Sequence, residues 1–271
     1  MIIINGHSHF CVSRKGEINM INEIQSKSSV LTVVKVVLIV LFAAYIGIIS
    51  AVVVHEAVGH GLVAMALGGE FRGIGVYWDG MGWADVDFAG LSPIRQAWVL
   101  AGGFLSTTLV AAILFFVSFR ARKRSMLAIF VTPVAFAFLS DCAPYFFWDA
   151  LFKGGIGDVS GILRIFPNQA LRLAIVIVSA ALLLAGIILF NALMYHHLRR
   201  IFGIGNHPKR QKIIIVSALF ALQTMAWLSF DWSQIVTVAG INLWAHLTHI
   251  TLTAIGLGGV VAYSERRKNR I

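Results

Sequence analysis

Few residues in this 271-residue chain can do acid–base or metal chemistry, and three of them, His55, Glu56 and His60, fall within six positions at the end of a long apolar run. An ionisable side chain in or near lipid is costly, and one that is kept there usually binds, relays or catalyses. Two imidazoles and a carboxylate are the groups that the helical pattern H-E-x-x-H uses to bind zinc and supply a base. Here, however, the histidines are five apart, not four. Each residue of an ideal α-helix advances about 100°, so positions four apart nearly align and positions five apart diverge by roughly 140°. One extra residue wound into a π-bulge would return His55 and His60 to one face, and Gly59 would ease the distortion. An undistorted helix would align Glu56 with His60 instead, so spacing alone leaves both ligand sets open. The competing explanation is a pair of core histidines bonded to neighbouring helices. Three ionisable groups so close together in a membrane run weigh against it.

The elements that must position these groups are membrane helices. The chain is 58% hydrophobic and 13% charged, with a mean hydropathy of +0.83, where an average soluble domain is nearer one-quarter charged. An apolar run from Leu31 to Leu67 would make roughly 55 Å of helix, against about 30 Å of bilayer core, so it must tilt, break or emerge. Further spans are predicted at about residues 96–119, 126–148, 171–198, 213–230 and 235–263. The fold class is therefore an all-α polytopic membrane protein of about six transmembrane helices. Between the first two, residues 70–88 alternate in part around Asp79-Gly80, which predicts a small β-hairpin. The organisation is a polar N-terminal tail (1–29), a membrane domain (30–264) and a basic tail (265–271). His7, His9 and Cys11 in the first tail are read as part of a mobile segment. Cys11 and Cys142 lack the spacing of a zinc knuckle or a disulfide framework.

The net charge of +10 does not point to nucleic acid, because the basic residues fall in short clusters between the spans. Of the 22 Lys and Arg, all but Arg72, Arg95, Lys153, Arg164 and Arg172 lie on one side if both termini are cytoplasmic. The positive-inside rule thus predicts a multi-pass protein with both ends in the cytoplasm. Trp98, Trp148, Tyr195 and Tyr263 fit an aromatic belt at the span ends.

Two resemblances follow from these residues. His55-Glu56-Ala57-Val58-Gly59-His60 resembles the H-E-x-x-G-H motif of the dipeptidyl-peptidase III family, whose histidines bind zinc and whose glutamate is the catalytic base. Over residues 45–115 the chain is similar to the site-2-protease family of intramembrane zinc metalloproteases. In that family the zinc helix is followed by a Gly-Gly-like turn, a membrane-associated hairpin and a helix opening with small residues. Here Gly68-Gly69, residues 70–88 and Ala101-Gly102-Gly103 stand in the same order. That family's distant Asp-Gly ligand motif has no clear counterpart.

A catalytic zinc takes three protein ligands and keeps one open position. His55 and His60 supply two, and the third is sought among Asp158, Asp141 and Asp149. Asp158 is preferred, although it could instead cap the helix that starts near Val159. An acid inside an apolar span, as at Asp141, needs a partner. His246 and His249 share a face of the last span and are read as core residues before ligands. The expected function is a zinc metalloprotease cleaving membrane-associated protein or peptide substrates, with Glu56 as base. The alternative is a metal-binding or transport membrane protein without peptidase activity.

Overall fold

The computed structural model describes residues 14–78, 80–121, 125–152, 157–202, 209–228 and 241–268. Chain contacts divide it into two units, residues 1–39 and 40–271. In the first, the described residues belong to helix α1 (Arg14–Val53). The second unit carries everything that bears on the site. From Val54 to Leu62 the chain winds as a π-helix, then runs into the short α2 (Val63–Leu67). Gly68 ends α2 at φ +93, a left-handed conformation that suits glycine at a helix C-terminus.

An antiparallel hairpin follows, β1 (Glu70–Val76) and β2 (Gly82–Asp87), paired from Glu70↔Asp87 to Val76↔Gly82. It closes through Tyr77 N–H to the Met81 carbonyl at 2.8 Å, with Gly80 at φ +88. The expected hairpin is therefore present, while Asp79 of the predicted turn lies outside the described residues.

Long helices then build the bundle: α3 (Pro93–Arg120), α4 (Ser125–Leu151), the short α5 (Asp158–Ile165), α6 (Gln169–Ile201), α7 (Lys209–Leu228) and α8 (Ile241–Lys268). Pro93 opens α3 at a position where its missing N–H costs nothing, and the Asn168 side chain caps α6 by accepting from Ala170 N–H at 2.8 Å. Among the described residues five helices are long and apolar enough to cross a membrane. The remaining expected span, residues 213–230, overlaps α7, whose apolar stretch among the described residues is Ile215–Thr224.

Helix α4 lies between α3 and α6 and packs on both. With little hydrophobic drive between helices in lipid, polar pairs help to hold such contacts. Ser118 and Thr132 join α3 to α4 at 2.6 Å, and Asn191 and Gln223 exchange amide bonds between α6 and α7. Leu38, Phe42, Leu109 and Ile177 are exposed, as lipid-facing residues are. Of the predicted belt aromatics, Trp98 and Tyr263 are exposed, but Trp148 and Tyr195 are buried inside the bundle. Trp148 stacks on Phe152 and sits beside His249, so packing decides its position.

Candidate metal centre

The π-helix answers the spacing problem. Its wider turn takes up the fifth residue, so that the rings of His55 and His60 lie with centroids 5.0 Å apart at 63° to one another. Both are buried, at 7% and 8% exposure. Gly59 allows the π segment to press on α3: a Cβ there would strike the Gly103 Cα and lie 2.8 Å from the Gly102 carbonyl carbon. The reverse contacts are as close. A Cβ on Gly102 would meet the Gly59 carbonyl oxygen, and one on Gly103 would overlap the His55 imidazole. The small residues of α3 are thus the floor beneath His55.

Each imidazole is oriented through Nδ1. His60 Nδ1 is 2.8 Å from the Val99 carbonyl, which can only accept, so Nδ1 carries the proton and Nε2 presents a lone pair. His55 Nδ1 is 3.0 Å from Asp141 Oδ2. Both Nε2 atoms turn to Asp158, whose Oδ2 is 3.3 Å from that of His55 and 3.4 Å from that of His60. Among the described residues His55, His60 and Asp158 form a group whose candidate ligand atoms all lie within 4.8 Å of one another. Tetrahedral ligands at about 2.0–2.1 Å from a zinc ion stand roughly 3.3–3.4 Å apart, so the donor types and spacing fit such an ion.

The three aspartates meet different atoms. Asp158 is the first residue of α5 and does not cap it, because Gly157 occupies the cap position and no side-chain bond is made there. Asp149 does that work from α4, accepting from Ser160 N–H at 2.9 Å and from the Ser160 hydroxyl. Asp141 meets His55. Tyr145, which the sequence did not single out, accepts from the Asp158 N–H at 2.7 Å. Its signal was available, since Asp141, Tyr145 and Asp149 recur every four residues along one helix face. His249 lies apart from this group, bonded to its own helix at the Ala245 carbonyl at 2.8 Å, and His246 is on the same helix, α8. His7, His9 and Cys11 fall outside the described residues.

These groups line a cavity of about 450 Å³. One wall carries His55, Glu56, His60, Asp141, Tyr145 and Asp158, and the other is formed by residues 80–84 with Val86 and Phe88. Glu56 reaches towards the hairpin, with its Cγ 3.3 Å from where a Cβ on Gly82 would stand. Among the described residues Glu56 bonds to neither imidazole, so one cavity holds two imidazoles, a separate carboxylate and a neighbouring strand, groups able to serve as ligands, a base and a wall for an extended chain.

A family model described as peptidase M50B-like matches residues 28–201 of this chain. No curated protein and no solved structure matches.

Proposed function

The chain belongs to the peptidase M50B-like family and is an intramembrane metalloprotease, and we propose that its metal is zinc, held by His55, His60 and Asp158, with Glu56 as the base. The observation that carries this reading is the convergence of two imidazole Nε2 atoms and one carboxylate oxygen beside a second carboxylate in one cavity. When bound, zinc would acidify water and polarise the scissile carbonyl. Glu56 takes a proton from the attacking water and passes it to the leaving amine nitrogen, as a general base that becomes a general acid. The π segment holds His55 and His60 on one face, and α5 brings Asp158 to them.

Substrates of such an enzyme are membrane-associated. Among the described residues the sheet has two strands and the outer edge of β2 is unpaired, and residues of β2 line the cavity. That edge can take an extended substrate segment as a further strand, through main-chain bonds that do not depend on sequence. Five spanning helices fit an integral membrane protein. With α7 counted as a sixth crossing, both termini face the cytoplasm and the hairpin lies on the opposite side.

The test is Glu56→Gln, which keeps the size of the side chain and removes the base. Purified Glu56→Gln protein should retain its zinc and lose cleavage of a membrane-embedded substrate by about 10²–10⁴-fold. Cleavage at the wild-type rate would refute the role given to Glu56.

A further inference from the structure

We propose that Asp141 is a positioning residue of the metal centre, fixing the imidazole of His55 through Nδ1 so that Nε2 faces the metal. The proposal rests on the ligand assignment above and extends it to the layer behind the ligands. The two nitrogens of an imidazole point away from one another. Asp158 meets His55 at Nε2 and Asp141 meets it at Nδ1, 3.0 Å away, so the two carboxylates stand on opposite sides of the ring. Asp141 is therefore placed behind the ligand. The contact is enclosed, with the side chains of His55 and Asp141 only 8% and 16% exposed. An acid there must have a partner to be tolerated.

The two histidines differ in how they are held. His60 is oriented by the Val99 backbone carbonyl, which no substitution removes, whereas His55 depends on a side chain. A carboxylate bonded to the far nitrogen of a ligating histidine fixes its tautomer and raises its basicity, and losing such a partner typically costs about 10–100-fold in metal affinity. Asp141 is also the first of three groups on one face of α4 that each support the site. Tyr145 accepts from the Asp158 N–H, and Asp149 accepts from Ser160 in the first turn of α5. Helix α4 thus supplies no ligand and orients two.

The experiment measures zinc affinity of the full chain in detergent by competition with a chelator, for wild type, Asp141→Ala and Asp141→Asn. Asp141→Ala should bind zinc about 10–100-fold more weakly. Asp141→Asn, whose amide oxygen still accepts from Nδ1, should recover most of that loss. In zinc-loaded protein with isotopically labelled histidine, the His55 Nδ1 proton should resonate far downfield and move upfield in Asp141→Asn. Equal loss in both variants would make Asp141 a ligand and overturn the proposal. Unchanged affinity in Asp141→Ala would overturn it alone, whereas a wild-type chain that binds no zinc would overturn the ligand assignment and this inference with it. If Asp141→Ala does not fold, the proton shift in Asp141→Asn decides, and its absence overturns the proposal.

Discussion

At Asp158 a carboxylate meets two imidazole nitrogens, while at Asp149 it meets the N–H and hydroxyl of Ser160 in the first turn of α5. The first arrangement suits a ligand and the second a cap, and the two should separate on substitution. Asp149→Ala should lower stability by about 0.5–2 kcal/mol, as loss of a helix cap does, and leave zinc bound. Asp158→Ala should remove tight zinc binding, because two imidazoles alone make an incomplete site. Melting curves and metal analysis on the same preparations check both. In the sequence the acidic residues were few enough to narrow the third ligand to three aspartates. Their roles were not legible, because a carboxylate's role depends on the atom it meets, and those atoms lie on other helices.

Among the elements, the π segment carries the account. The five-residue separation of His55 and His60 required an extra residue in a turn if both were to share one face, and Val54–Leu62 winds that way. What spacing could not decide was whether the histidines would align with each other or leave Glu56 and His60 aligned. The answer depends on α3: Gly59 and Gly103 meet backbone to backbone, and His55 lies over Gly103. That contact joins segments far apart in the chain and has no local signature beyond small residues. Gly103→Ala should therefore push the His55 imidazole, cost about 1–3 kcal/mol of stability and reduce both zinc affinity and cleavage. Gly258→Ala is the matching control, since among the described residues nothing lies within 4 Å of its added Cβ. In α8 it should leave activity unchanged and, if anything, raise stability by roughly 0.5–1 kcal/mol. Activity and melting temperature of the two variants, measured side by side, test this contact.

For the whole molecule, hydropathy and charge implied a polytopic helical protein, alternation around Asp79-Gly80 implied a hairpin after its first span, and the fold has that form. The sequence counted residues 213–230 as a span, and α7 (Lys209–Leu228) lies there, held to α6 partly by the Asn191–Gln223 amide pair. Such amides strengthen helix packing in lipid. Trp148 and Tyr195 were not legible in this way, since their type suits an interface but their neighbours bury them. The proposed topology gives its own expectation. Trp78, 81% exposed at the hairpin tip, should, as Trp78→Cys, react with a membrane-impermeant thiol reagent added from outside, while tags on both termini stay protected until the membrane is opened. Labelling of a terminal tag before that point would reverse the orientation. The account as a whole is tested most directly by zinc content and X-ray absorption of the purified chain. It predicts one zinc per chain with nitrogen and oxygen but no sulfur ligands, lost in His55→Ala, His60→Ala and Asp158→Ala and kept in Asp149→Ala. A chain that holds no zinc, or that keeps it when His60 is removed, would contradict it.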